Sequence, residues 1–153
     1  MAMVKRCEKL AFMNVDGTYY RMTNFTEIAV GKNPKEYSRQ YVDEEFERSS
    51  IVGYSTSVSY SFDYDNENEV HALIKNITDK ELLADDAIVE IVMVDITNPD
   101  GKNNAISRRW SVIPENEGNS LDAYTYSGSF RANGAAKEVK AVSTDDWKTI
   151  TVE

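Results

Sequence analysis

The sequence has almost none of the residues from which metal and catalytic sites are usually built. Its 153 residues include one cysteine, Cys7, and one histidine, His71. One cysteine forms no disulfide within the chain, and one cysteine with one histidine is too few for a structural zinc site. A nucleophile–base arrangement would need His71, and no nucleophile motif such as G-x-S-x-G is present. We therefore predict a protein that is not an enzyme and requires no metal or cofactor.

Motifs for phosphate and calcium are also missing. Neither G-x-x-x-x-G-K-[ST] nor G-x-G-x-x-G occurs. The acidic run at residues 63–69 resembles a calcium loop, but Asn68 stands where the sharp turn needs glycine. Ile74 stands where the bidentate glutamate belongs. We interpret this run as the end of a strand followed by a helix cap.

Long apolar runs are absent, and positive charge is scarce. The longest apolar stretch, residues 87–94, is interrupted by Glu90 and is far shorter than the ~20 residues of a membrane helix. The basic residues of the N-terminal arm, residues 1–9, are not followed by the apolar run of a secretory signal. The net charge is -9, from 17 basic and 26 acidic residues. Since binding to phosphates needs a basic surface, we predict association with neither membranes nor DNA.

Alternating patterns predict a mainly β domain. In residues 54–64, β-branched and aromatic side chains alternate with serines, which is typical of a strand with one apolar and one small polar face. Residues 87–96 are apolar on both faces and, with residues 105–113, predict a hairpin around a central strand. Further predictions are a polar loop at 114–120, a strand at 121–132, a turn at Asn133-Gly134 with residues 135–142 pairing back, and a last strand at 145–153.

One helix is predicted within this β pattern. Val70, Leu73, Ile74 and Ile77 form a single helical stripe. Asn66 is the predicted cap, with Glu69 three residues later completing a capping box. We expect this helix to cover one face of the sheet and His71 to be a partly buried helix residue.

Residues 31–50 have no face that suits a core. They are polar or charged on both faces, and a strand with no buried face is not stable in a monomer. The segment is either a mobile loop or has its partner on another subunit. Its three aromatic residues favour the second interpretation. The candidate inter-subunit residues are Tyr37, Arg39, Tyr41, Phe46 and Arg48.

Several segments, taken in order, resemble the major tail tube proteins of phages, or of phage tail-like particles, of Gram-positive bacteria. The segments are NPKEYSRQYVDEE (33–45), GYSTSVSYSFD (53–63), RWSVIP (109–114), YTYSGSF (124–130) and DDWKTIT (145–151). None is diagnostic alone; the likeness covers most of residues 10–152.

This resemblance implies a fold, an assembly and a set of partners. The fold would be one tail tube domain, a β-sandwich or barrel with one flanking helix. Six copies would form a ring, and rings would stack into a hollow virion tail tube. Inner strands would form a continuous sheet around the lumen. The early loop or hairpin at 31–50 would contact neighbouring subunits and the next ring. Other tail proteins, such as tape measure, terminator and baseplate proteins, would be partners. The protein would be made in the host bacterial cytoplasm.

A DNA conduit should have an acidic or neutral wall, because basic contacts repeated in every ring would hold the DNA in place. Which strand faces line the lumen stays open, since a register shift of one residue exchanges the two faces. The acidic candidates for the lumen are Asp63, Glu90, Asp95, Glu115, Glu117 and Asp122.

Other functions remain open at this point. One is another phage tail or connector component, or the tube of a phage-derived bacteriocin. A different class is a monomeric β-sandwich module that binds sugar or peptide, with residues 31–50 as its binding loop. The sequence does not distinguish a contractile from a non-contractile tail.

Overall fold

The computed structural model describes residues 9–43, 45–96, 101–118 and 123–152, and shows a mainly β fold with one α-helix, as expected. A 3-10 turn, Ala84–Ala87, precedes the strand that begins at Ile88. The elements are β1 Lys9–Val15, β2 Thr18–Arg21, β3 Phe25–Gly31, β4 Pro34–Arg39, β5 Arg48–Tyr54, β6 Ser57–Asp63, α1 Glu69–Asp79, β7 Ile88–Asp95, β8 Asn103–Glu117, β9 Thr125–Ala132, β10 Lys137–Val142 and β11 Thr149–Val152.

Nine of these strands form one sheet that closes on itself at one side. The strand order is β10-β11-β2-β1-β7-β8-β9-β6-β3, and β10 also pairs with β8. Strands β10, β11, β2, β1, β7 and the first half of β8 therefore form a small barrel. The second half of β8 continues into a four-stranded extension, β8-β9-β6-β3, here called the open sheet. The prediction that residues 135–142 pair back on β9 is wrong, because β9 already has β8 and β6 on its two edges.

The apolar residues form two cores, one on each face of β7. Val89 and Ile91 pack with α1 and the open sheet, in a cluster that includes Tyr60, Phe62 and Phe130. Val92 and Val94 instead face the barrel interior. The doubly apolar pattern of β7 is thus explained by a central strand that is covered on both sides, as predicted.

The helix begins two residues later than predicted. Asn68, not Asn66, is the cap, and its side-chain oxygen accepts hydrogen bonds from the N–H groups of Val70 and His71. The carboxylate of Asp65 accepts the N–H of Glu67 at 3.0 Å and so forms a separate turn before the helix. The predicted apolar stripe is correct, with Val70 and Ile74 fully buried.

Three strand boundaries also differ from the predictions. The predicted strand 54–64 is interrupted, because Tyr54 ends β5 and the carbonyl of the buried Thr56 accepts the N–H of Ala132. Strand β8 runs through the predicted loop to Glu117, and a bulge after Pro114 accommodates the proline.

The last strand is shorter than predicted and begins at Thr149. Before it, Trp147 adopts a positive φ of 62° and is buried. Hydrogen bonds from the side chain and backbone N–H of Thr149 lower the pKa of Asp145 to about 2. This turn explains why the chain before Thr149 is not a strand.

His71 joins the helix to two loops. The residue is fully buried, and its ring stacks on Phe62 at 4.2 Å. Its Nδ1 accepts the N–H of Asp65 at 3.2 Å, so Nε2 carries the proton and donates to the carbonyl of Thr23 at 3.0 Å. Burial lowers the pKa of His71, which keeps the ring neutral.

We expect the stability contributed by His71 to depend on pH. Because the pKa of His71 is lowered in the folded state, its contribution to the free energy of unfolding is fully present above the unfolded pKa of about 6.5. The contribution is lost as the pH falls below that value, by at most about 1.4 kcal/mol per pH unit. Urea unfolding at pH 7.5 and 5.5 tests this. The destabilisation caused by His71→Gln should be smaller at pH 5.5, and equal destabilisation at both values would contradict the expectation.

Gly128 is required by close packing between β8 and β9. A Cβ atom at this position would lie 2.4 Å from the carbonyl oxygen of Ile113 and 3.0 Å from Cα of Pro114, both backbone atoms that move only with their strand. We expect Gly128→Ala to lower the free energy of unfolding by about 3 kcal/mol. Gly31→Ala is the matched control, since its nearest contact would be an ordinary 3.6 Å. Similar urea midpoints for the two variants would show that the strands adjust without cost.

Candidate assembly surfaces

Strands β4 and β5 form a two-stranded ribbon, here called the arm (residues 32–55), that extends from the open sheet. They pair from Pro34–Tyr54 to Arg39–Arg48. At the base of the arm, the backbone N–H of Ser55 donates to the carbonyl of Asn33. The side-chain amide of Asn33 donates to the carbonyl of Ser55. The arm thus continues the β3–β6 pair. Residues 31–50 therefore contain β4, the connection that follows it and the start of β5.

Both strands of the arm are largely exposed. Every residue of β4 is exposed, as is every residue of β5 except Gly53. A two-stranded ribbon that buries no apolar face is at best marginally stable in water. The arm therefore has the properties of an element that is stabilised by a partner.

The five predicted inter-subunit residues all lie on this arm. Tyr37 and Tyr41 are half-exposed, and Phe46, in the turn, is 78% exposed. The guanidinium groups of Arg39 and Arg48 lie over the rings of Tyr37 and Tyr41 at 5.2 and 5.9 Å. Cation–π contacts of this kind order the aromatic rings at the surface.

Four exposed apolar residues of the arm were not predicted from the sequence: Val42, between the two strands, and three residues of β5. Ile51, Val52 and Tyr54 are each more than half exposed on β5. The apolar pair Ile51-Val52, directly before Gly53, could have indicated these residues. Tyr54 could not, because it fitted the alternating pattern of the predicted strand 54–64. Together with the aromatic residues they give the arm an exposed apolar content that is typical of an interface.

The face of the open sheet opposite α1 consists mainly of small hydroxyl side chains, and we call it the hydroxyl face. Its cross-strand pairs are Ser57–Arg131, Ser59–Ser129, Ser61–Ser127 and Asp63–Thr125, with Glu27 opposite Ser61 on β3. The other face of the same strands carries Tyr60, Phe62 and Phe130 and is covered by the core. The hydroxyl face has no large apolar side chain to bury except the partly buried Ile113, which pairs with Ser129.

The open sheet has two edges with backbone groups that lack a partner strand among the described residues. Strand β3 pairs with β6 only. At the other side, pairing between β7 and β8 begins at Ile88–Ser111, so residues 112–117 of β8 have a strand neighbour only in β9. Such edges readily accept a strand from another chain.

The predicted lumen carboxylates do not lie together. Asp63, Glu115 and Glu117 lie at one end of the open sheet, away from the arm, where Thr125 donates to Asp63 at 2.9 Å. We call this the far end. Asp122 lies outside the described residues.

The other two carboxylates belong to the barrel. Glu90 accepts hydrogen bonds from the hydroxyls of Tyr19, at 2.7 Å, and Ser107, at 3.0 Å. Burial, with the hydrogen bond to Glu90, raises the pKa of Tyr19 to about 12. Asp95 is half-buried at the end of β7, opposite Lys9. One of its carboxylate oxygens is buried and has no hydrogen-bond partner among the described residues. Lys9, which the sequence placed in the N-terminal arm, is the first residue of β1.

Two grooves are present on the surface. One, of about 520 Å³, lies between the start of α1 and the β1–β2 turn. The second, of about 370 Å³, lies at the far end and is here called the end groove. Its lining residues are Ile77, Thr78, Glu81, Leu82, Leu83, Pro114, Glu115, Asn116 and Glu117.

The described residues contain neither a cluster of metal-binding side chains nor a membrane-spanning helix. In the part of the chain that is described, no three His, Cys, Asp or Glu side chains come together to hold a metal ion. Over the same residues, no helix has the length and apolar character needed to cross a membrane.

Solved structures with the same arrangement of strands come from phage-like particles. A protein in the tail of an empty gene transfer agent (GTA) particle, determined by helical refinement with C6 symmetry, matches with a TM-score of 0.64 and 10% identity, over 88% of this chain and 98% of that one. The chain shares the fold of a gene transfer agent tail protein. A chain of the native GTA virion matches with a TM-score of 0.63 and 10% identity, over 89% of this chain and 98% of that one.

These matches confirm the tail-tube-type fold that the resemblance implied. They do not support the Gram-positive host. No protein-family profile and no curated protein matches the chain.

Proposed function

We propose that the chain is a tail tube protein, whose copies form six-membered rings that stack into a hollow conduit for DNA. The observation that carries the proposal is the open sheet, which leaves one edge of β3 and one edge of β8 without partner strands among the described residues. The fold shared with a GTA tail protein supports it, and the C6 symmetry of that tail supports six copies per ring.

Ring formation follows from the two edges. The β3 edge of one copy pairs with residues 112–117 of β8 in the next copy, so that different surfaces of each copy meet. A contact of this head-to-tail type forms a closed ring when its rotation matches the number of copies. The result is a continuous sheet built from the open sheets of all copies.

The hydroxyl face then lines the lumen, and α1 lies on the outside. Small neutral side chains such as Ser59 and Ser127 make up most of this face. The carboxylates of Asp63 and Glu27 outnumber the one arginine of its cross-strand pairs, Arg131. DNA passes without specific binding because few contacts displace counterions. Of the six acidic candidates, Asp63 remains a lumen candidate, whereas Glu90 is half-buried and held by Tyr19 and Ser107.

The proposed role is structural and not enzymatic, and the protein acts as part of a virion tail. Tape measure, terminator and baseplate proteins are its proposed further partners. If the chain forms the tube of a phage-derived bacteriocin, the same two sheet edges and the same arm would make its contacts. A connector component would use the edges of the open sheet without stacking, and a monomeric binding module would use neither the edges nor the arm.

Negative-stain electron microscopy of the purified protein tests this proposal. We expect hollow tubes of uniform width, and light scattering should show large particles whose number rises with protein concentration. Single rings that never stack would indicate a connector component. Monomers at every concentration would contradict the proposal and favour the binding module.

A further inference from the structure

The β8 edge of the open sheet offers few backbone hydrogen bonds to a second copy. The N–H of Asn133 donates to the carbonyl of Arg109 across the β8–β9 ladder. Because alternate residues of an antiparallel strand direct their backbone groups to opposite sides, Val112 and Pro114 direct theirs to the free edge. Pro114 has no N–H, and a bulge follows it. Pairing between β3 and β8 in the proposed ring therefore needs support from side chains.

Leu83 lies beside this edge and is 79% exposed. It lines the end groove together with Pro114, and it follows Leu82, which packs against the core that includes α1. The residues on either side of this leucine pair, Glu81 and Ala84, both adopt a φ of 50°. Residues other than glycine rarely occupy that left-handed region, and such strain is often found where a turn holds a functional side chain in place. The turn thus fixes an apolar side chain in solvent, on the face of the open sheet that α1 covers.

The free edge of β3 carries apolar side chains on the same face. Ile28 and Val30 lie opposite Tyr60 and Val58 on β6, and both of these β6 residues are buried in the core on the α1 side. Val30 is nevertheless 45% exposed, because β3 has no strand beyond it among the described residues. A strand that pairs with β3 therefore brings its own α1-side neighbours next to Val30.

We propose that Leu83 of one copy packs against Ile28 and Val30 of its neighbour in the same ring. This inference rests on the proposed tube and names the side chain that anchors each ring contact. When β8 of one copy pairs with β3 of the next, the two strands belong to one sheet and share its two faces. Leu83, on the α1 side of β8, then lies over the apolar side chains of β3, and both copies lose exposed apolar area. Each contact thus consists of a strand ladder and an apolar contact on its α1 side.

A charge at Leu83 tests this anchor. Leu83→Asp should retain the wild-type melting temperature, since the side chain is exposed, and should form neither rings nor tubes at concentrations at which the wild type forms tubes. Ile106→Asp is the matched control, because Ile106 is also exposed but lies in the barrel part of β8, and it should assemble normally. Tubes formed by Leu83→Asp at the wild-type concentration would overturn the inference. Equal loss of tubes in both variants would overturn it as well, since any added charge would then prevent assembly.

Crosslinking identifies the partner of Leu83 without a change of charge. In a Cys7→Ser background, Leu83→Cys is combined with Ile28→Cys in one variant and with Val30→Cys in another. Within one copy, β9 and β6 separate the β8 edge from β3 by about 14 Å, which is too far for a disulfide. At least one of the two variants should therefore give disulfide-linked oligomers on a non-reducing gel. The ladder should end at six copies, the number that C6 symmetry supports, because a ring closes.

The matched control combines Leu83→Cys with Ile106→Cys in the same background and should give no ladder. A ladder of equal extent from the control, a ladder that continues beyond a closed ring, or no ladder from either test variant would overturn the inference. The proposed function is tested separately, since it fails only if the wild-type protein forms no tubes.

Discussion

Removal of the arm is expected to abolish tube formation and to leave a folded protein. Residues 34–54 are replaced by an Asn-Gly turn, which is favourable between two strands. Asn33 and Ser55 already lie side by side, joined by two hydrogen bonds. The two cores contain no residue of the arm, so the melting temperature should change little. Light scattering should show no particle larger than a single ring at concentrations at which the wild-type protein forms tubes.

A second deletion removes only the tip of the arm and keeps its two strands. Replacing residues 40–47 by Asn-Gly removes Tyr41 and Phe46 but keeps β4 and β5. This variant should form tubes at a higher protein concentration than the wild type, because part of the apolar surface is lost. Tubes formed by the full arm deletion would show that residues 31–50 have no part in assembly.

A lysine on the hydroxyl face is expected to make a passive conduit retain DNA. Ser59 is exposed near the middle of this face, opposite Ser129 on β9 and Ala29 on β3. Ser59→Lys adds one cation per copy to every ring of the proposed lumen. Tubes assembled with short duplex DNA should then retain nuclease-resistant DNA at low salt, and the logarithm of the affinity should fall linearly with the logarithm of the salt concentration.

The control for this experiment adds the same charge elsewhere. Ile106→Lys places a cation on the exposed barrel surface, where bound DNA stays open to nuclease. Wild-type tubes and Ile106→Lys tubes should protect no DNA. Equal protection by the two lysine variants would contradict the assignment of the hydroxyl face to the lumen.

Much of the fold follows from local patterns that the sequence displays. The helix stripe of Val70 and Ile74 and the doubly apolar β7 depend on residues that are close in sequence, and both are correct. The closure of β10 on β8 was not predictable in this way. It pairs Lys137 with Ser107, and pairing across 30 residues is determined by the sheet as a whole.

The assembly surfaces were predictable only in part. The lack of a buried face in residues 31–50 identified the arm, but its pairing with itself depended on the turn between Arg39 and Arg48. Charge alone did not place the carboxylates. The sequence pattern does not distinguish Glu90 from Glu115. In the structure, Glu90 accepts a hydrogen bond from the hydroxyl of Tyr19, whereas Glu115 lies at an exposed bulge of β8.

A reconstruction of the assembled tubes by electron cryomicroscopy tests the central claim most directly. We predict six-fold rings in which β3 of each copy pairs with β8 of its neighbour, so that the open sheets form one continuous wall. The side chains of Ser59 and Ser127 should face the axis, and α1 should lie on the outside. A lumen lined by α1 or mainly by lysine and arginine, or copies that meet without pairing between β3 and β8, would contradict the account.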